Sequence, residues 1–257
     1  YRIGVDKVYV ESISGEDHFY SEDERGTLTL GAYGQPYKAF CARVAAEGER
    51  AYTHRDFLPD IAVVRFDDTY WGQGKNMPWQ DILFGYPEHQ STPASGEWLR
   101  AFHTITHGTT DVRALSWGRW DVYLKPHRSF APAKGPIVYD ETVGYEHLRS
   151  ASLLFLCGEF LSDTALAAAA RRVREGATAV TSVRFAPQDL AEGYMGGTAV
   201  VPDGEGRWVI TDDMASDEVK AAVAPLLGEP DEMSFRFLGG HTVRFKISED
   251  GNGLSEV

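Results

Sequence analysis

One stretch of the sequence constrains the fold more than any other, because a strand, a helix and a strand follow one another within about 30 residues. Residues 151–157 are an apolar run typical of a buried strand. The alanine-rich segment that follows predicts a helix, with Ser162 or Asp163 as its N-cap and Gly176 as its stop. Residues 177–183 predict the next strand. A unit of this kind joins parallel strands, so the sequence predicts an α/β layer.

Other segments extend this pattern. Two long segments do not, and the second of them, residues 71–96, has no clean period. Residues 14–34 are polar and glycine-rich, which predicts a long loop. Residues 71–96 are rich in Gly, Pro and aromatic side chains, which predicts a binding loop. The spacing of apolar residues predicts strands over residues 59–66, 208–211 and 242–248, and helices over residues 35–46, 96–106 and 217–227.

Composition and charge exclude several classes of partner. The 257 residues include 38 acidic and 25 basic ones, which gives a net charge of −13. Nucleic acids and anionic membrane surfaces are polyanions, so we expect neither as a partner. No apolar run reaches the ~18 residues of a membrane span, and no secretory signal pattern is present. We expect a soluble protein, either cytoplasmic or secreted.

The sequence lacks the nucleotide-binding signatures that accompany many α/β folds. It contains no GxxxxGK[ST] motif, and no GxGxxG follows a predicted strand and opens a helix. The glycines of Gly204-Glu-Gly206 predict only a turn. We therefore expect no nucleotide and no other cofactor.

Cys157 is the candidate nucleophile, since it ends a predicted strand and strand ends face the ligand crevice in α/β sheets. A nucleophilic cysteine needs a nearby base, and the local sequence Leu-Cys-Gly-Glu lacks the GxCxG elbow of class I glutamine amidotransferases. A buried structural cysteine is the preferred interpretation.

Two histidines offer a possible metal site. His103 and His107 are spaced i, i+4 on a predicted helix, which would place both on one face. There is no HExxH motif, however, and Gly108 ends the helix beside the second histidine. Capping and loop packing is the preferred role, and we expect no metal.

Acidic and aromatic residues indicate a second kind of chemistry. Glu11 ends the first predicted strand, and Asp17 and His18 follow in the adjoining acidic loop. Paired carboxylates are what glycoside hydrolysis requires, although a solvated acidic loop is equally compatible with these residues. Tyr70 and Trp71 follow an aspartate pair, and such aromatic rings suit either a sugar or a protein interface.

Both ends of the chain predict a piece of a longer protein. Tyr1 leads almost directly into a strand pattern. The alternating strand over residues 242–248 is followed by Glu-Asp-Gly-Asn-Gly, which predicts a hairpin turn whose second strand is missing.

The order of four segments resembles a known arrangement. These are Val-Tyr-Val-Glu11, Ser-Gly-Glu-Asp-His18-Phe, Leu30-Gly-Ala-Tyr-Gly-Gln-Pro-Tyr-Lys-Ala-Phe40 and Ile61-Ala-Val-Val-Arg-Phe-Asp-Asp-Thr-Tyr-Trp71. Their order resembles the junction in family-42-type β-galactosidases and related glycoside hydrolases. There, the last strand and helix of a (β/α)8 barrel lead into a Rossmann-like domain. That domain is similar to class I glutamine amidotransferases without their catalytic residues, and it commonly mediates trimerisation.

The resemblance implies three regions along the chain. Residues 1–50 would be the last strand, loop and helix of a TIM-type barrel. Residues 51–232 would be the Rossmann-like, amidotransferase-like α/β domain. Residues 233–257 would begin a small C-terminal β domain. Arg65 and Cys157 are not what the resemblance leads us to expect at their positions.

The resemblance also implies a role without a complete catalytic centre. The two catalytic glutamates of these families lie on earlier barrel strands, so this chain alone would lack them. It would act as a portion or subunit of a glycoside hydrolase, with the rest of the barrel a separate chain or a removed segment. Glu11, a weak catalytic candidate, would bind the sugar with Asp17 and His18, while Tyr70 and Trp71 would line the cleft.

Two other functions stay open at this point. One is a non-catalytic oligomerisation or binding domain of amidotransferase-like fold. The other is a cysteine-dependent amidotransferase-like enzyme that uses Cys157. For the glycoside hydrolase portion and for the non-catalytic domain we expect a homo-oligomer, with a trimer favoured by the resemblance.

Overall fold

A computed structural model describes residues 20–31, 34–66, 97–108, 134–248 and 254–257. These residues belong to two compact units. The first unit is formed by the chain up to Phe57 together with Phe237–His241. The second unit is formed by Leu58–Arg236 and Thr242–Val257.

The described part of the first unit starts with a hairpin, inside the segment where the sequence predicted a long loop. Strands β1 (Tyr20–Glu22) and β2 (Leu28–Leu30) pair antiparallel. The Asp23 carboxylate accepts hydrogen bonds from the backbone N–H groups of Arg25 and Thr27 and so holds the turn. The prediction of a loop was wrong over residues 20–30, because strands of only three residues are too short to give a periodic signal.

Helix α1 (Gly34–Glu47) confirms the helix predicted from residues 35–46. Gly48 follows it with φ of +75°, a backbone conformation that glycine adopts readily and other residues rarely do. A 3-10 turn over His54–Asp56 comes next, and strand β3 (Phe57–Leu58) follows it directly. Phe237 stacks on Tyr52 in this unit, with ring centroids 4.2 Å apart.

The second unit is built on a six-stranded sheet whose order is β5-β4-β6-β7-β9-β8. Five of its strands are parallel, and β8 pairs antiparallel with β9 at one edge. This confirms the predicted α/β class with a mostly parallel sheet, which is compatible with a Rossmann-like layer. The strands are β4 (Ile61–Phe66), β5 (Pro136–Tyr139), β6 (Leu153–Gly158), β7 (Thr178–Thr181), β8 (Thr198–Asp203) and β9 (Gly206–Thr211).

Helices cover both faces of this sheet, as continuous apolar strands require. Ile61 and Val63 of β4 pack with α2 and α6, whereas Ala62 and Val64 pack on the opposite face with α3 and α4. All four side chains are fully buried. The helices are α2 (Glu97–Ile105), α3 (Tyr145–Leu148), α4 (Asp163–Arg174), α5 (Gln188–Ala191) and α6 (Asp217–Leu227).

Two of these helices begin at a serine cap. Ser162 Oγ accepts a hydrogen bond from Ala165 N, and Ser216 Oγ accepts one from Val219 N. Each bond satisfies a backbone donor that the first helical turn leaves unpaired. The predicted strand–helix–strand unit is therefore confirmed as β6, α4 and β7, and Ser162 is its N-cap.

The second unit closes with antiparallel strands that include one the sequence analysis considered missing. Strand β10 (Glu232–Phe237) pairs with β11 (Thr242–Ile247), and β11 pairs with β12 (Leu254–Glu256). The expectation of a hairpin turn without a second strand was wrong. Strand β12 is that second strand, and its three residues pair with Phe245, Lys246 and Ile247.

The described helices do not include one that combines the length and the apolar character needed to cross a membrane.

Candidate functional site

The strand order places a topological switch point at the carboxyl ends of β4 and β6. The next described helix after β4, which is α2, packs on one face of the sheet, whereas α4, which follows β6, packs on the opposite face. Adjacent parallel strands whose connections diverge in this way mark the point where ligands bind in open α/β sheets. We call this place the carboxyl edge and define it by Arg65, Glu97, Gly158, Ser182 and Arg184.

Glu97 closes a ring of hydrogen bonds at the carboxyl edge. Its Oε1 accepts from Arg184 Nη2 at 2.8 Å, and its Oε2 accepts from the backbone N–H of Gly158 at 3.1 Å. The same Arg184 Nη2 also donates to the carbonyl oxygen of Gly158 at 2.9 Å. The first residue of α2, the end of β6 and the turn after β7 are thereby joined through one carboxylate and one guanidinium.

The environment of Glu97 disfavours its charged form. Burial raises the pKa of the Glu97 carboxyl above its usual range, and this effect exceeds the opposing ones of the Arg184 guanidinium and the Gly158 N–H. Glu159 adds a smaller rise in the same direction. A carboxyl with a perturbed pKa in a crevice is a feature of functional sites, although structural ion pairs produce it as well.

Aromatic groups flank the ring. The Arg65 guanidinium lies over the Trp98 indole, 4.8 Å from the ring centroid. Phe66 at the end of β4 meets Phe160 edge-on, with centroids 6.3 Å apart. Phe160 is 54% exposed, so an apolar ring faces solvent next to the charged groups. This combination of carboxylate, guanidinium and aromatic surface is one that binds polar organic ligands.

Cys157 lies directly before the carboxyl edge and is fully buried. Its Sγ is 3.5 Å from Met214 Sδ. Burial raises the pKa of the Cys157 thiol well above its usual value, and the nearby Glu97 adds to the rise. The thiolate is the nucleophilic form of cysteine, so this thiol is unsuited to nucleophilic attack. The burial predicted for Cys157 is confirmed.

Ser182 carries a hydroxyl group at this edge whose hydrogen-bonding capacity the described residues leave unsatisfied. Its Oγ is buried, and the described part of the chain offers it no hydrogen-bond partner. A buried hydroxyl without a partner costs roughly 1–3 kcal/mol. Ser182 directly follows β7 and stands two positions before Arg184, so the unsatisfied group belongs to the carboxyl edge.

A second ion pair continues along the same edge beyond β9. Arg100 of α2 forms a two-pronged pair with Asp213, and its Nε lies 2.6 Å from Oδ1. Thr104 Oγ1 donates to the Met214 carbonyl at 2.7 Å. These bonds fix α2 to the end of β9, which holds Glu97 at a constant position relative to the sheet.

The sugar-site residues predicted from the sequence all lie outside the described residues. They are Glu11, Asp17, His18, Tyr70 and Trp71, and their roles stay predictions. The structure therefore neither joins them to the carboxyl edge nor separates them from it. In the sequence, Tyr70 and Trp71 follow Phe66, the last residue of β4, by four and five positions.

The structure gives His103 and His107 a capping role. Helix α2 ends at Ile105, and Gly108 N donates to the His103 carbonyl at 2.7 Å. His107 N donates to the Thr104 carbonyl, and His107 itself has φ of +53°. This is a left-handed helix stop, so the two imidazoles do not share a helical face. No cluster of three or more metal-ligating side chains occurs among the described residues.

The first unit contains a separate shallow cavity. It has a volume of about 380 Å³. Tyr37 on its wall hydrogen-bonds Cys41, which raises the pKa of the Tyr37 hydroxyl. Cys41 is exposed. The cavity is lined by Tyr20, Leu30, Gly34, Tyr37, Lys38 and Cys41.

Sequence reasoning missed Glu97, Arg184 and Ser182. Glu97 and Arg184 stand 87 positions apart, so no local motif contains both. A usable signal does exist, since each residue lies at the carboxyl end of a strand or at the start of a helix in the predicted α/β layer. Comparison with protein-family models and with curated proteins gives no match for this sequence.

Proposed function

We propose that this chain is a non-catalytic portion or subunit of a glycoside hydrolase of the β-galactosidase type. Its α/β layer would bind carbohydrate and support assembly, while the glycosidic bond is cleaved by carboxylates on another part of the assembly. The barrel element, the small C-terminal β domain and the trimeric state belong to this proposal.

The observation that supports it best is the composition of the carboxyl edge. The only cysteine of the second unit is buried beside the carboxyl edge as a thiol. Above it, Glu97 is held by Arg184 and Gly158. The edge therefore offers groups for recognition, and its thiol is unsuited to forming a covalent intermediate. This weakens the alternative of a cysteine-dependent enzyme.

Carbohydrate is the ligand class that suits this set of groups. Sugar hydroxyls donate to carboxylates and accept from guanidinium groups, and the C–H faces of sugar rings pack on aromatic rings. Glu97, Arg184 and Phe160 supply one of each at the carboxyl edge.

A non-catalytic assembly domain is the second candidate, and exposed apolar side chains favour it. Phe160 is 54% exposed and Val183 is 39% exposed, and the two follow the neighbouring strands β6 and β7. Exposed aromatic and aliphatic groups together are typical of protein interfaces.

Saccharide binding and hydrolysis, measured on the same preparation, test the proposal. Saturation-transfer NMR with methyl β-D-galactopyranoside should detect binding to the chain. Nitrophenyl glycosides should show no turnover by the chain alone. Turnover by the isolated chain would contradict the non-catalytic role, and an absence of binding across a panel of neutral monosaccharides and disaccharides would contradict the carbohydrate role.

Native mass spectrometry tests the assembly. A second polypeptide of barrel size bound to this chain would support a subunit of a split glycosidase. A homo-oligomer that binds no saccharide would support the assembly domain instead.

A further inference from the structure

We propose that Glu97 and Arg184 form a subsite for two adjacent hydroxyl groups of a neutral sugar, with Ser182 as a third contributor. This inference rests on the proposed carbohydrate function and deepens it, because it assigns the ligand group to particular atoms at the carboxyl edge.

The Glu97 carboxylate has acceptor capacity beyond the ring. An ionised carboxylate offers about four lone-pair positions on its two oxygens. The bonds from Arg184 and Gly158 engage one position on each oxygen. The Glu97 side chain is 18% exposed, so it is not completely closed off from solvent at the carboxyl edge. Two hydroxyls on neighbouring carbons can donate to the two oxygens of one carboxylate, as two N–H groups of an arginine do in a bidentate pair.

Arg184 supplies the complementary donors. A guanidinium carries five N–H donors, and the bonds to Glu97 and Gly158 both come from Nη2. Arg184 is 41% exposed, so it reaches solvent next to the carboxylate. A sugar hydroxyl donates one bond and accepts others, and an adjacent carboxylate and guanidinium satisfy both functions at once.

The ring also preorganises the subsite. The Gly158 N–H donates to Glu97 Oε2, and the Gly158 carbonyl accepts from Arg184 Nη2. Backbone atoms therefore fix both charged groups before a ligand arrives. Side chains that are already ordered lose little entropy on binding, which favours the weak hydrogen bonds of a sugar.

Ser182 is an independent sign of a missing partner. Its buried Oγ lacks a hydrogen bond within the described residues, and native proteins rarely leave such a group unpaired. In this proposal a sugar hydroxyl at the edge, or a water that it orders, would supply the partner that this buried Oγ lacks in the described part of the chain.

The charges at the subsite are balanced, because Arg65 and Arg184 stand beside Glu97 and Glu159. A phosphorylated or carboxylated sugar therefore gains no net local attraction, and the net charge of −13 on the chain disfavours it. A neutral sugar meets no such penalty.

Titration of the ¹⁵N-labelled full chain with methyl β-D-galactopyranoside and with its monodeoxy analogues tests the assignment. Glu97→Gln removes the charge and one acceptor oxygen and should weaken galactoside binding by about tenfold or more. The monodeoxy analogue that lacks one of the paired hydroxyls should bind the unmodified chain about tenfold more weakly. It should suffer little further loss in Glu97→Gln, because the two changes remove the same interaction.

Glu175→Gln is the matched control. Glu175 is also a glutamate paired with an arginine, Arg171, and it accepts a hydrogen bond from Tyr145, but it follows α4 at the opposite end of the strands. This variant should bind the galactoside as the unmodified chain does. Arg184→Lys and Ser182→Ala give second readings of the same site, and the ¹H–¹⁵N spectrum of each variant shows whether it is folded.

The outcomes separate this inference from the proposed function. If the galactoside binds equally to the unmodified chain and to folded Glu97→Gln and Arg184→Lys, the subsite is wrong while the carbohydrate function stands. If no neutral sugar binds to the unmodified chain, both are overturned. Equal losses in Glu97→Gln and Glu175→Gln would also overturn the subsite, because the effect would then be one of charge and not of contact.

Discussion

The α-carbon of Gly158 lies so close to the carbonyl oxygen of Phe66 that a Cβ on Gly158 would be 1.9 Å from that oxygen. Glu159 N donates to the same Phe66 oxygen at 2.9 Å. The ends of β4 and β6 are therefore in close backbone contact exactly where the Glu97 ring forms. Glycine is required here for its lack of a side chain and for its φ of +93°.

Gly158→Ala should consequently destabilise the protein by ~3 kcal/mol or more, because the new methyl group must separate the two strands. Denaturant unfolding followed by circular dichroism measures the loss. Gly193→Ala is the control, since nothing lies within 4 Å of a Cβ at that position, and it should change the free energy of unfolding by less than about 1 kcal/mol. Similar effects of the two substitutions would contradict the close contact.

The stop of α2 predicts a difference between two substitutions at His107. Both His107→Gly and His107→Ala remove the imidazole, but only glycine adopts a φ of +53° without strain. His107→Gly should therefore be the more stable variant by about 1 kcal/mol. Thermal and denaturant unfolding of the pair provide the measurement, and equal stabilities would show that the left-handed conformation is not retained.

The raised pKa of Glu97 predicts how its contribution to stability varies with pH. A carboxyl whose pKa is higher in the folded than in the unfolded state stabilises the fold most at low pH, below its unfolded pKa. Its contribution declines as the pH rises through the folded pKa. The free energy of unfolding of the unmodified chain minus that of Glu97→Gln should therefore fall as the pH rises above the ordinary glutamate pKa of 4.5. Urea titrations of both proteins at several pH values test this, and a rise with pH would reverse the assigned direction.

The two cysteines should react very differently with alkylating reagents. Cys41 is exposed, whereas Cys157 is buried and its thiol has a raised pKa. Iodoacetamide labelling with peptide mass mapping should modify Cys41 at least about 1,000-fold faster, because Cys157 reacts only after an opening that costs ~5 kcal/mol or more. In urea the two rates should converge. Rapid labelling of Cys157 in the folded protein would restore the nucleophile hypothesis.

The sequence was sufficient for elements with strong local signals. The unit from β6 to β7 combines an apolar strand, a serine cap at Ser162 and a glycine stop at Gly176, and each of these signals is local. The antiparallel strand β8 was missed because none of its side chains is fully buried and Pro202 interrupts the strand pattern. Pairing partners such as β12 depend on contacts that no local period encodes.

The candidate site depends on long-range pairing more than the individual helices and strands do. Glu97 meets Arg184 only because α2 and the turn after β7 reach the same edge of the sheet. Strand order decides that meeting, and strand order is a property of the whole fold. Predicting it from the sequence would have required ranking all pairings of β4, including those with β5 and β6.

The pairing of β4 with β6 has a consequence for how the protein is made. Ser152, just before β6, donates to the Asp60 carbonyl just before β4, across 92 positions of the chain. At ~5–20 residues per second, a ribosome needs roughly 5–20 s to synthesise the intervening segment. The apolar strand Ile61–Phe66 therefore cannot pair with β6 during that interval. The nascent chain should be most vulnerable to aggregation, and most dependent on chaperones, before residue 158 has emerged.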